Sequence, residues 1–273
     1  MIKNFVKKAL QEDIGRGDLF RLVSKKKKVQ AKIVSKDEGI LAGVDYVKAL
    51  CKVEKIKFEF FKKDGDIIKK GDEIAVLEGK SNKILMCERT ILNLLQHASG
   101  IATNVHIYKQ ELKDTKVKLL DTRKTRPHLR IFEKYAVRCG GGSNHRMGLD
   151  DCLMLKDTHL KTIDDLKSFI ENARYKLPYT TKIEVECESI EDAKYAMECG
   201  SDMVMCDNMN INEIKEVVKY KNENYPHILL EASGNITKEN ILEYAKTGVD
   251  AISSGSLIHQ ATWLDFSMRI YDD

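Results

Sequence analysis

The sequence is poor in the features that mark specialised protein classes. Three prolines in 273 residues, beside 42% hydrophobic and 32% charged residues, exclude collagen-like repeats and extended disorder. No stretch approaches the roughly 18 uncharged apolar residues of a membrane span, and MIKNFVKKALQEDIG carries no apolar core of a leader. The 7 cysteines are odd in number and form no C-x-x-C pair, which argues against a disulfide framework and a zinc site. These absences predict a soluble, untargeted, cytoplasmic protein with reduced thiols. Charge of one sign is also lacking: 46 Lys+Arg against 42 Asp+Glu leave +4, too little for a dedicated nucleic-acid binder, and no helix-turn-helix, zinc-finger or RNP-type signal is present.

What is present divides into two textures. The length suits about two domains, or one α/β barrel of roughly 250 residues. Up to about residue 105, VQAKIVSKDEGILAG and IKFEFFKKDGDIIKKGDEIAVLEGK alternate apolar and polar residues around Asp-Gly and Gly-Asp turns, as half-buried antiparallel strands with hairpin chemistry do. A short opening helix should stop at Gly15 and Gly17, and a long helix from about Asn82 to Leu112 should break at Ser99-Gly100. From Val117 onward, VKLLDTRK, CLMLKD, KIEVEC, DMVMCDN, HILLEASG and DAISSG read as strands alternating with helices, the pattern of a parallel sheet. Six strands fall short of eight, so an incomplete barrel is expected. The alternation in WLDFSMRI suits a strand returning to the first part. The expected domains are 1–105 joined by the tail 264–273, and 106–263.

In parallel α/β folds ligands gather at the carboxyl ends of the strands. Those ends carry Arg123 and Lys124, Lys156, Glu186, Asp207, Ser233 with Gly234, and Ser254 with Gly255. Strand ends are also polar simply because loops are wet, but Glu186 and Asp207 directly follow apolar runs and Lys156 closes one. The stretch TRKTRPHLRIFEKYAVRCGGGSNHRMG adds Arg126, Arg138, His145 and Arg146 around three glycines. Arginine forks and close-approaching backbone amides suit a small polyanion. Arg130 and Lys134, inside HLRIFEKYAVRCG, read as a solvated helix face. The glycines match neither a Walker loop nor G-x-G-x-x-G. Ser233-Gly234 and Ser254-Gly255-Ser256 form a second anion candidate of the kind that holds phosphate after the last strands of a barrel. Glu186 and Asp207 between them suit ribose hydroxyls or Mg²⁺. No Ser-His-Asp or Cys-His arrangement is evident; Lys156 as a Schiff-base nucleophile is the rival chemistry.

Taken together, ERTILNLLQHASGIAT, DTRKTRP, GGGSNHRMGLDDCLMLKDTH, IEVEC, MCDN, LEASGNI and GVDAISSGSLIH resemble the quinolinate phosphoribosyltransferases, from ALQEDIGRGD to the LDFSMRI tail. The resemblance implies an N-terminal α/β sandwich followed by an open-faced, about seven-stranded α/β barrel. It also implies a homodimer acting on quinolinate and phosphoribosyl pyrophosphate with Mg²⁺. It places Arg123, His145, Arg146 and Lys156 on the two carboxylates of quinolinate, with Arg89 donated across the dimer interface. Lys124, Glu186 and Asp207 would surround pyrophosphate, ribose and Mg²⁺, with Lys124, Lys156, Glu186 and Asp207 as the catalytic set. Ser233, Gly234, Gly255 and His259 would cradle the 5-phosphate. Phe20 and Thr158 depart from the family's usual Thr and Asn without removing an assigned group. A relative acting on nicotinate or another acid is the alternative, and neither nucleic acid nor membrane is an expected partner.

Overall fold

A computed structural model describes residues 1–271; residues 272 and 273, the end of the tail, lie outside the described residues. Two compact units divide the chain. One holds Met1–His106, Tyr135–Gly141 and the tail from Gln260; the other holds Ile107–Lys134 and Gly142–His259.

The first unit opens with a helix, Ile2–Ile14, closed at Gly15 as its sequence predicts. Its strands are β1 (Lys28–Ser35), β2 (Gly39–Ile40), β3 (Lys57–Phe60), β4 (Ile67–Ile68) and β5 (Glu73–Lys80). The tail strand pairs antiparallel with β1, Ala31 opposite Ile270 and Ile33 opposite Met268, so it does return to this unit. The order is tail, β1, β5, β3, with β2 and β4 a separate pair. The two glycine turns therefore flank β4 instead of closing a hairpin between neighbouring strands. Both use one device: Gly65 and Gly71 take positive φ, and Asp66 and Asp72 accept the amides of Lys63 and Lys69.

The long helix runs from Ser81 to Glu111 without the break expected at Ser99-Gly100. The small residues serve close packing instead. Ser99 Oγ accepts the Ala42 amide at 2.9 Å and donates to the Ala42 carbonyl at 3.2 Å. A Cβ at Gly100 would overlap the Thr262 carbonyl oxygen. A serine and a glycine are tolerated mid-helix because the neighbouring backbone needs the room.

The second unit holds six parallel strands, β6 (Lys118–Leu120), β7 (Leu153–Leu155), β8 (Ile183–Cys187), β9 (Met203–Asp207), β10 (Leu229–Ser233) and β11 (Ala251–Ser253), in the order β6-β11-β10-β9-β8-β7. The strand at Phe266–Tyr271 in the first unit is β12. A seventh position exists in reduced form: Ser143 makes a single parallel bridge to Leu120 on the free side of β6. The connecting helices start where the sequence supplies caps. Asn210 accepts the amides of Asn212 and Glu213 while Glu213 returns to the Asn210 amide, and Ser189 accepts from Asp192. Side chains two apart on a strand share a face, so Glu184 with Glu186 and Glu231 with Ser233 point to the same side of the sheet. All five residues of β8 are buried, both glutamates included.

Candidate active site

The carboxyl ends of the parallel strands enclose a cavity of about 310 Å³ lined by Thr122, Arg123, Lys124, His145, Arg146, Met154, Lys156, Glu186, Met205, Asp207, Ser233 and Ser253. Eight of the residues singled out from sequence meet there. Arg123 and Lys124 follow β6 in a turn in which Thr122 Oγ1 accepts the Lys124 amide at 3.0 Å. Lys156 leaves β7 and ion-pairs with Glu186 near the end of β8, and Asp207 ends β9. Burial and the neighbouring Glu186 carboxylate raise the Asp207 pKa above its ordinary value, against the pull of Lys156 and Lys124. Burial, then the charges of Arg146 and Arg130, lowers that of Arg123. Like charges held this close call for an anion.

The loop bearing Arg146 is pinned from several sides. Asp121, fully buried after β6, accepts Asn144 Nδ2 at 2.6 Å and the His145 amide at 2.9 Å, and takes an ion pair from Lys134. Lys134 is no solvated residue: its side chain is fully buried and also donates to the His145 carbonyl at 3.0 Å. Arg130 is likewise tied down, donating to Thr125 Oγ1 at 3.2 Å and the Met147 carbonyl at 3.1 Å. Arg146 Nη1 donates to the Cys152 carbonyl at 3.1 Å.

His145 lines the cavity, with its ring held from two sides. Its Nδ1 accepts the Arg146 amide at 2.7 Å, and its Nε2 lies 3.2 Å from each of two fully buried carboxylates, Glu184 and Glu231. Burial lowers the ring's pKa, and the two carboxylates reverse this and push it to about 10. An imidazolium, however, needs a hydrogen on Nδ1, where the Arg146 N–H already points. The two carboxylates thus favour the charged ring, whereas the Arg146 N–H favours the neutral one.

The second anion candidate is rearranged. Ser254 is buried, its amide donates to the Leu120 carbonyl and its hydroxyl is held by Ile236 O and Ser256 Oγ. The hydroxyl of this strand that lines the cavity is Ser253, 3.0 Å from Ser233 Oγ. Gly234 has φ +84° and a Cβ there would strike Asn208, while a Cβ on Gly255 would stand 2.7 Å from Lys124 Cδ and 3.3 Å from the ring of His259. His259 is exposed at the end of the short helix Ser256–His259. Arg89 is exposed on the long helix of the first unit and is not among the lining residues.

The sequence reading passed over Glu184, Glu231 and Ser253. The signal was there: a glutamate inside an otherwise apolar parallel strand breaks the pattern of strands buried on both faces. Glu186 and Asp207 are the oxygen donors suited to a divalent cation; Glu184, Glu231 and His145 form a second group of close-set ligand atoms.

Residues 18–99 match the family described as Quinolinate phosphoribosyl transferase, N-terminal domain, and residues 101–269 match its C-terminal domain. A probable nicotinate-nucleotide pyrophosphorylase [carboxylating] of Archaeoglobus fulgidus is 44% identical over 248 residues, covering 89% of this chain and 95% of that one. A probable enzyme of the same name from Bacillus subtilis is 40% identical over 272 residues, covering 98% and 93%. The crystal structure of NadC from Streptococcus pyogenes superposes with a TM-score of 0.92 at 37% identity, covering 99% of this chain and 97% of that one. With the fold, the two matched domains and the cation-lined cavity in agreement, the chain belongs to the quinolinate phosphoribosyltransferase family of enzymes.

Proposed function

We propose that the chain transfers the phosphoribosyl group of phosphoribosyl pyrophosphate to quinolinate and releases CO₂, giving nicotinate mononucleotide and pyrophosphate on the de novo route to NAD. The observation that carries this reading is the convergence of Arg123, Arg146 and Lys156 on one small cavity beside Glu186 and Asp207. A monocarboxylic acid such as nicotinate would not need three cations; a pyridine dicarboxylate accounts for them.

The chemistry asks for electrostatics, not a protein nucleophile. The C1–O bond to pyrophosphate breaks with its electron pair leaving on oxygen, positive charge builds on the ribose C1, and the pyridine nitrogen closes on it. Arg123, Arg146 and Lys156 hold the ring carboxylates so that the nitrogen faces C1. Lys124 meets the leaving pyrophosphate, and Ser233, Gly234, Gly255 and His259 meet the 5-phosphate. Ser253 joins that rim, while Ser254 supports it from behind. Glu186 and Asp207 would hold Mg²⁺ through oxygen ligands, a donor set in which burial and then the Glu186 carboxylate raise the Asp207 pKa. The ion when bound would neutralise charge on the departing pyrophosphate. Once the nitrogen is ribosylated and positive, the ring accepts the electron pair left at C2 as CO₂ departs, and C2 then takes a proton.

A homodimer completes the site in this reading. Leu19, Phe20, Leu22 and Val23 are exposed by 50% to 83%, an apolar surface that a second copy would cover. Leu19 and Phe20 share a groove with Leu85 and Met86 of the long helix. Arg89, three residues beyond Met86, lies on the same helix face and would reach the partner's cavity. The seven free cysteines, five of them buried, suit the reducing cytoplasm.

The test is product analysis with phosphoribosyl pyrophosphate and Mg²⁺, offering quinolinate or nicotinate. CO₂ and nicotinate mononucleotide from quinolinate are expected; turnover of nicotinate alone would overturn the assignment. Borohydride inactivation in the presence of a carbonyl substrate would point instead to Lys156 as a Schiff-base nucleophile.

A further inference from the structure

Strands β9 and β10 lie in register at the cavity rim, Asp207 opposite Ser233, and each runs straight into a left-handed turn. Asn208, Gly234 and Asn235 have φ of +57°, +84° and +53°. Asparagine tolerates that region better than most side chains, yet glycine occupies it at no steric cost, so backbone shape alone does not call for an amide at 208. What the amide does is bridge the two strand ends. Asn208 Nδ2 donates to Asp207 Oδ2 at 2.8 Å, and Asn208 Oδ1 accepts Asn235 Nδ2 at 2.9 Å. An ionised carboxylate only accepts, so the nitrogen must face Asp207 and the oxygen is left for Asn235. The backbone repeats the link: the Asn208 amide donates to the Ser233 carbonyl at 3.0 Å. Asn235 is anchored in turn, its carbonyl accepting Asn240 Nδ2 at 3.2 Å while Asn240 Oδ1 takes the Thr237 amide at 2.8 Å. Gly234 leaves room for this, since a Cβ there would overlap Asn208 Oδ1 and crowd the Asn208 amide nitrogen.

We infer that Asn208 is a positioning residue for phosphoribosyl pyrophosphate: it holds the Asp207 carboxylate and the Ser233-Gly234 turn at one spacing, so that the ribose and its 5-phosphate meet groups already in place. The inference rests on the proposed reading of this cavity as a phosphoribosyl pyrophosphate site. With Oδ2 bound by Asn208, the Asp207 carboxylate does not have to be ordered when the ligand arrives. Hydrogen-bond partners that orient a ligating carboxylate contribute about 10- to 100-fold.

Asn208→Gly tests it, because glycine keeps the left-handed turn and removes only the side chain. At saturating quinolinate and Mg²⁺, KM for phosphoribosyl pyrophosphate should rise about tenfold, while KM for quinolinate stays within about twofold. Calorimetric binding of nicotinate mononucleotide, which carries the same ribose 5-phosphate, should weaken by a similar factor without any turnover. An N208G enzyme with the wild-type KM for phosphoribosyl pyrophosphate, or one in which both KM values rise alike, overturns the inference. Asn235→Gly removes the donor to Asn208 Oδ1 and should raise the same KM about two- to threefold. The N208G/N235G double variant should then be no worse than N208G, since Asn235 acts through Asn208; effects that multiply in full refute the bridge. If N208G does not fold, Asn208→Asp decides: it keeps the acceptor for Asn235, sets a carboxylate against Asp207, and should raise KM for phosphoribosyl pyrophosphate about tenfold or more, an unchanged value refuting the bridge. Failure of the wild-type protein both to turn over phosphoribosyl pyrophosphate and to bind nicotinate mononucleotide would instead sink the reading of the cavity.

Discussion

Lys134 donates from Nζ to a carboxylate oxygen of Asp121, and neither side chain is exposed to solvent. Asp121 also accepts from Asn144 Nδ2 and the His145 amide, so one carboxylate ties the helix bearing Lys134 to the loop that presents Arg146. Burial drives each partner toward its neutral form, raising the Asp121 pKa and lowering that of Lys134, and the contact between them opposes both shifts.

Removing the cation alone should therefore be severe. Lys134→Met leaves a buried carboxylate without its partner, and a loss of about 3–5 kcal/mol in urea unfolding is expected. Adding Asp121→Leu should not restore stability, because the His145 amide would then lose its acceptor and the Asn144 side chain one of its two. A loss below about 1 kcal/mol in the single variant would mean that water reaches the pair.

At the opposite ends of the strands, Asp202 collects Arg174 Nη1 at 2.7 Å, Lys182 Nζ at 3.2 Å and the Ile183 amide at 2.8 Å. Burial opposes ionisation there, yet these donors outweigh it and hold the folded-state pKa below 3.8. A depressed carboxyl contributes stability that is present above its unfolded pKa and is lost as pH falls through the folded one. Asp202→Asn should thus cost about 1–3 kcal/mol from pH 5 to 7, with the gap to wild type closing below about pH 4. Turnover should not change, since this end of a barrel carries stability and not chemistry. A gap that persists unchanged at pH 2.5 would refute the ionic origin.

The outline of the barrel was legible because each strand is a short apolar run ending in a polar residue, and Lys156, Glu186, Asp207 and Ser233 arrived in the cavity as that rule predicts. Lys134 was misread because a lysine on a helix looks solvated until Asp121, thirteen residues earlier, is brought opposite it. Ser253 and Ser254 could not be told apart, since a one-residue shift at a strand end exchanges inward and outward faces. Ser99-Gly100 looked like a helix break; local propensity yielded to the backbone packed against those small residues. Glu184 and Glu231 announced themselves only as charges inside apolar strands, and their partner lies at least thirty-nine residues away in sequence.

Gly255 offers a change that reaches substrate without threatening the fold. A methyl group there would stand 2.7 Å from Lys124 Cδ, the flexible part of a side chain, so Lys124 would swing aside with little strain on the backbone. Gly255→Ala should raise KM for phosphoribosyl pyrophosphate several-fold, leave KM for quinolinate within about twofold, and unfold at the wild-type urea concentration. A rise confined to quinolinate would place Lys124 on the wrong substrate.

Arg89 and Lys156 supply the most direct test of a shared site. Loss of either should reduce turnover on the order of 10² or more, as removal of a preorganised electrostatic donor does. If Arg89 acts in its partner's cavity, Arg89→Ala and Lys156→Ala fall in the same site of a mixed dimer. One site of each mixed dimer then carries both defects and the other carries neither. Random reassociation makes half the dimers mixed, so denaturing and refolding equal amounts together should recover roughly a quarter of wild-type activity. If Arg89 serves its own chain's cavity, every site in the mixture keeps one defect and no recovery follows. The exposed apolar surface at Leu19, Phe20, Leu22 and Val23 supplies the matching control. Charging it with Leu22→Asp should abolish both association and recovery while the isolated chain retains its fold.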